Sequence, residues 1–268
     1  MVDSSPIDET RITSQLDVLV VDDSALYRET VCRLLRDIPN VRIVGVAQDG
    51  SDAIEKAKQL RPHLMTLDVE MPRMDGLKTL DEIARLKLPT RAIMLSSLTE
   101  AGGRVTMDAL FKGAFDFIQK PTGSLVDSRD QLRQSLAEKL AAFDQFRAER
   151  LAQQPTPREP PPDRSAKHST AIATPQVGCR AVIIGVSTGG PQALRHVLPR
   201  LAPDLPVPVI VVQHMPKGFT ASLAQRLNDV SQIEVSEARD RQDLHPGQVV
   251  LAAGERQLQI VNRGPSSS

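Results

Sequence analysis

Short β-branched and aliphatic runs alternate with amphipathic stretches across residues 17–122. The runs are Asp17–Val21, Val41–Ala47, Leu64–Leu67, Ala92–Ser96 and Asp116–Ile118. Between them, apolar residues recur at helical spacing. This pattern predicts five strands separated by helices, in a parallel sheet covered on both faces. Leu132, Leu136, Leu140 and Phe143 then recur among charged residues over Arg129–Gln153, predicting a linker helix with one buried stripe rather than a dimerising coiled coil. Pro155, Pro157 and Pro160-Pro161-Pro162 follow, in a stretch that reads as extended and solvated. The α/β pattern resumes with strands at Ala181–Gly185 and Pro208–Val212, followed by helices at Pro191–Leu198 and Thr220–Asn228. The expected organisation is a disordered tail at 1–16, a complete α/β domain at 17–122, a helical then Pro-rich linker at 123–178, and the opening part of a second α/β domain at 179–268.

Composition narrows the function classes. The 268 residues carry 33 Lys plus Arg against 33 Asp plus Glu, so no net field favours nucleic acid or an anionic membrane. There are no Trp, one Tyr and six Phe, which argues against base-stacking platforms. The longest apolar runs, Ala181–Val186 and Val209–Val212, are too short to cross a bilayer. Met1–Thr13 is polar and acidic, the wrong composition for a secretory signal. Cys32 and Cys179 match no metal-ligand spacing, and His63, His168, His196 and His245 form no spaced set. A cytoplasmic protein with no nucleic-acid partner and no membrane insertion is expected.

Candidate chemistry gathers at the carboxyl ends of the first five strands. Asp22 and Asp23 follow the first, Asp68 the third, Ser96 closes the fourth, and Lys120 follows the fifth. In an open parallel sheet that edge binds ligands. A single strand-end Asp is ordinarily a turn or cap residue. Three carboxylates together would repel unless a hard cation joined them, and Mg²⁺ suits such a set. Asp68 would then be a carboxylate nucleophile towards a phosphoryl group, with Lys120 and the Ser96 hydroxyl holding phosphoryl oxygens.

These residues resemble the receiver domain of two-component response regulators. The likeness rests on Asp22-Asp23, on Leu67-Asp68-Val69-Glu70-Met71-Pro72-Arg73-Met74-Asp75-Gly76, on Ser96, and on Lys120-Pro121, 52 residues after Asp68. It implies a flavodoxin-like five-stranded fold, phosphorylation of Asp68 by a histidine kinase, and Asp23 and Asp68 as Mg²⁺ ligands. It further implies a backbone carbonyl from Glu70, Asp22 acting through water, and Phe117 as the aromatic that turns inward with Ser96 on activation. By its own pattern Phe117 is simply core.

A second constellation lies in Gly185-Val186-Ser187-Thr188-Gly189-Gly190-Pro191, between a strand and a helix. The glycines allow a tight turn and Pro191 suits a first helical turn, which lifts Ser187 to a helix N-terminus where backbone N–H groups can hold an oxyanion. His214 ends the next strand, so a serine and a potential base occupy neighbouring strand ends. Taken singly, Ser187 could be a helix cap and His214 structural. The spacing is that of the α/β-hydrolase nucleophile elbow, but His214 follows only 27 residues after Ser187, too soon for that fold's order of Ser, acid, His. A dinucleotide loop is poorly served, because Ser187 stands where its second glycine belongs.

Gly185–Leu194 and Gln213–Thr220 together resemble the catalytic domain of chemotaxis protein-glutamate methylesterases, and Leu244–Gly254 is also similar. The resemblance implies a doubly wound, Rossmann-like domain that hydrolyses glutamyl methyl esters on chemoreceptors and can deamidate receptor glutamines. Ser187 would be the nucleophile, His214 the base, Thr188 the neighbour at the oxyanion, and no cofactor is implied at the esterase site. The family's catalytic Asp lies well downstream of the His, whereas this sequence ends 54 residues after His214. The expectation is therefore a C-terminally truncated, incomplete domain with exposed apolar strand edges. Asp240 and Asp243 are weak substitutes for the acid. Two functions follow: a phosphorylation-regulated methylesterase, or a catalytically inactive phosphoryl-accepting module.

Overall fold

Each predicted run in the first part of the chain becomes a strand, because continuous β-branched runs bury both faces of a parallel sheet. The computed structural model describes residues 15–97, 100–121, 125–152 and 179–261. Most of the expected tail, the Pro-rich linker with His168, and residues 262–268 lie outside the described residues. The chain forms two compact units, each with its own sheet.

The first sheet contains β1 (Leu16–Val21), β2 (Val41–Ala47), β3 (Leu64–Asp68), β4 (Arg91–Ser96) and β5 (Asp116–Gln119). All pairs are parallel, in the order β2-β1-β3-β4-β5. This is the flavodoxin-like order, with a topological switch point between β1 and β3. The connecting helices are α1 (Ala25–Arg36), α2 (Gly50–Leu60), α3 (Gly76–Arg85) and α4 (Glu100–Phe111). Their starts are written locally. Ser24, Asp49 and Asp75 cap α1, α2 and α3, each accepting a backbone N–H from three residues on. Cys32 is buried in the apolar stripe of α1.

The helix expected over Arg129–Gln153 is α5 (Leu125–Ala152). Leu132, Leu136, Leu140 and Phe143 are all buried, and the Lys139 ammonium reaches the buried Asp116 of β5 at 2.9 Å. Through Leu140 this helix belongs to the first unit. Leu132, Leu136 and Leu140 of the stripe fall within that unit, and Phe143 falls in the second.

The second sheet contains β6 (Val182–Val186), β7 (Val209–Gln213), β8 (Glu234–Glu237) and β9 (Gln248–Leu251), in the parallel order β6-β7-β9-β8. Its helices include α6 (Gly190–Val197) and α7 (Phe219–Val230). Val209, Ile210, Val249 and Leu251 fill its centre. The outer strand β6 presents Ile183 at 63% exposure. Strands β8 and β9 fall where no strand was expected: β8 is polar apart from Val235, and β9 is only four residues long.

Candidate functional site

The pocket of the first unit is assembled by strand ends. Asp22 follows β1, Asp68 closes β3, Ser96 closes β4 and Lys120 follows β5, so parallel strands bring all four to one edge. Lys120 reaches Asp22 Oδ2 and Asp68 Oδ2, each at 2.8 Å. Asp22 and Asp68 are buried, whereas Asp23 is exposed. One carboxylate oxygen from each of the three lies within 4.8 Å of the other two. An all-oxygen set of this kind fits a hard divalent cation such as Mg²⁺. Ser96 and Phe117 are both buried, and the Lys120 N–H donates to the Ser96 carbonyl at 2.7 Å, tying β4 to the lysine.

The electrostatics follow from burial and pairing. Burial pushes the Asp68 carboxyl up to about 6; Lys120 opposes that rise, the Asp22 charge adds to it, and the Glu70 backbone N–H works against it. For Lys120, burial works against the charged form, but hydrogen bonds to Asp22 and Asp68 outweigh it and raise its pKa. Asp68 therefore meets a held cation beside an open acidic face. The loop after it turns back closely: the Gly76 N–H donates to the Val69 carbonyl at 2.9 Å. A Cβ at Gly76 would lie 2.4 Å from the Asp68 carbonyl oxygen, so only glycine fits there.

Two residues of this pocket escaped sequence reasoning. Arg28 donates to the Asp22 and Asp23 carbonyls at 2.7 and 2.9 Å, clamping the acidic turn from α1. Tyr27 lies beneath Lys120, whose Nζ is 4.5 Å from the ring centroid. Position on the first turn of α1, immediately after the acidic pair, was the available signal for both.

In the second unit, Val186 pairs with Gln213 across β6 and β7. Ser187 and His214 are the next residues on those adjoining strands, and both are exposed. The His214 N–H donates to the Val186 carbonyl at 3.3 Å, closing the gap between the two ends. Gln213 Nε2 donates to the Ser187 and His214 carbonyls, each at 3.0 Å. This buried amide, which sequence reasoning missed although it adjoins His214, fixes the Ser187 turn to the His214 strand. Gly189 adopts a left-handed φ of 75° at the start of α6, and Thr188 adjoins that turn. Among the described residues no hydrogen bond joins the Ser187 hydroxyl to the His214 ring. Neither Asp240, which faces Arg241 at 3.9 Å, nor Asp243 hydrogen-bonds that ring. Thr220 is buried and its hydroxyl accepts the Gly254 N–H at 3.0 Å, joining the His214–Thr220 segment to the loop after β9.

His63 Nδ1 accepts the Asp17 N–H at 3.0 Å, and the His196 ring meets the Gln192 carbonyl one helical turn away. Cys179 is exposed before β6.

An acidic edge with a lysine on a 2-1-3-4-5 sheet, followed by a parallel α/β unit with Ser and His on adjoining strand ends, has the make-up of a response regulator with an esterase output. Residues 18–136 match the response regulator receiver domain and residues 182–268 match the CheB methylesterase domain. Over 249 residues the chain is 44% identical to the protein-glutamate methylesterase/protein-glutamine glutaminase of Symbiobacterium thermophilum, covering 91% of this chain and 68% of that protein. The Bacillus subtilis protein of the same name is 42% identical over 246 residues, with 91% and 68% covered. The response regulator domain of Thermotoga maritima CheB is 44% identical, covering 49% of this chain and 97% of that one, with a TM-score of 0.45. The chain belongs to the protein-glutamate methylesterase/protein-glutamine glutaminase family.

Proposed function

We propose that this chain is a phosphorylation-regulated hydrolase of chemotaxis, acting on methyl esters of chemoreceptor glutamates and on receptor glutamine amides. Pairing of Val186 with Gln213 carries the reading, since it sets Ser187 and His214 on adjoining strand ends. Ser187 Oγ attacks the ester carbonyl as His214 takes its proton, and His214 returns the proton to the departing methanol. Water then releases the glutamate carboxylate from Ser187. The α6 N-terminus beside Thr188 supplies N–H groups to the oxyanion.

Regulation belongs to the other sheet. A histidine kinase, or a small phosphodonor, supplies the phosphoryl group that Asp68 accepts. Asp23 and Asp68, the Glu70 carbonyl, and Asp22 through water would hold Mg²⁺, which neutralises charge on the phosphoryl oxygens when bound. Lys120 and Ser96 hold those oxygens, and Ser96 with the buried Phe117 conveys the change. In this reading the receiver comprises 17–122 with a linker at 123–178, and the protein works in the cytoplasm.

Methanol release from methylated chemoreceptor membranes tests the assignment. Ser187→Ala is expected to abolish release while leaving Asp68 phosphorylation at the wild-type level. Unchanged release would overturn Ser187 as nucleophile.

A further inference from the structure

Tyr27 is the chain's single tyrosine, and there is no Trp. It stands on the first turn of α1, directly after the acidic turn. Lys120 Nζ sits 4.5 Å above its ring centroid, while the same nitrogen reaches Asp22 and Asp68 at 2.8 Å each. The ammonium is thus held between two carboxylates and an aromatic face, where the ring quadrupole favours a cation. The phenol oxygen is buried and has no hydrogen-bond partner among the described residues. Buried tyrosine hydroxyls normally find one, because an unsatisfied donor loses its hydration without return. Phenylalanine would give the same ring to Lys120 without that penalty, so the hydroxyl calls for a partner of its own.

We propose that Tyr27 is a further binding residue of the phosphoryl pocket, whose hydroxyl donates a hydrogen bond to the phosphoryl group arriving on Asp68. This rests on Asp68 being the phosphoacceptor. The phosphoryl group brings three oxygens into a pocket where Lys120 and Ser96 are the donors already assigned, and the phenol supplies another. Burial, then the Asp22 and Asp68 charges, raise the phenol's pKa, so it stays protonated and able to donate. With acetyl phosphate as donor, an Asp68 oxygen bonds to phosphorus as the donor's P–O bond breaks, and that electron pair leaves with acetate. Tyr27 keeps its proton throughout.

The single tyrosine permits a direct test on the full chain. Labelling tyrosine with ¹³C at Cζ yields one resonance, sensitive to hydrogen bonding of the phenol. It is expected to shift when beryllofluoride is added in the presence of Mg²⁺, beyond the change with Mg²⁺ alone. Tyr27→Phe keeps the ring beneath Lys120 and removes only the hydroxyl. At saturating Mg²⁺ it is expected to slow acetyl-phosphate labelling of Asp68 by about tenfold, the scale of one hydrogen bond to a charged group. Its Mg²⁺ dissociation constant should stay within about twofold of wild type, since the same carboxylates remain. Labelling of Tyr27→Phe at the wild-type rate, in a chain with unchanged circular dichroism, would overturn the proposal. A wild-type chain that takes no phosphoryl group on Asp68 would instead overturn the parent reading.

Discussion

Lys120 sets how carboxylates can share one strand edge. Its ammonium meets Asp22 and Asp68 where both are buried, so removing it leaves two charges without their cation. Breaking one side of a buried pair typically costs about 3–5 kcal/mol, more than the intact pair contributes. Lys120→Met is therefore expected to lower the urea midpoint by the equivalent of about 3 kcal/mol, with added Mg²⁺ restoring part of the loss. An unchanged midpoint without metal would show that the lysine does not compensate these carboxylates. The Asp68 carboxyl has a definite pH sign. Burial lifts it to about 6 from 3.8, so the folded chain binds the proton more tightly than the unfolded one. Its contribution is present below the unfolded value and is lost as pH rises through about 6. Asp68→Asn, which has no such titration, is expected to gain stability over wild type at pH 8 relative to pH 4. Equal differences from wild type at the two pH values would contradict this.

At the scale of elements, legibility followed the strength of the local pattern. Strands β1 to β5 were readable because buried parallel strands require continuous apolar runs, whereas the caps Ser24, Asp49 and Asp75 emerged only with the structure. The stripe on α5 was visible, but not the surface that it covers. Strand β8 was illegible because only Val235 faces the core between polar neighbours, and pairing with β9 supplies what its own sequence lacks. The strand-end acids and Lys120 were legible as chemistry through their positions. Tyr27 and Gln213 were not, since Lys120 and Ser187 reach them only through tertiary packing; Arg28 was not, although it bonds the nearby Asp22 and Asp23 carbonyls, because no residue type alone announces that clamp. Leu136, fully buried at the centre of its stripe, is expected to cost about 3 kcal/mol on replacement by Ala, read as the shift in a urea transition. A loss under about 1 kcal/mol would mean that the stripe is solvated. Gly190 makes the complementary case. A Cβ there would lie 2.0 Å from Gln213 Oε1, so Gly190→Ala must displace the amide that ties Ser187 to His214. It is expected to destabilise by about 1–3 kcal/mol in the same assay, and a neutral effect would show that Gln213 can repack freely.

For the molecule as a whole, two parallel α/β units on one chain give acid-pocket chemistry and serine chemistry separate sheets, each at strand carboxyl ends. That arrangement suits a switch in which phosphorylation changes the populations of two states and the esterase reads the change. The measurement that tests this most directly follows Asp68 phosphorylation and methanol release from methylated chemoreceptor membranes in the same samples as acetyl phosphate is raised. Release is expected to climb in proportion to phosphorylated chain, and Asp68→Asn is expected to keep the basal rate without responding. Full phosphorylation of Asp68 with no rise in methanol release would contradict the account.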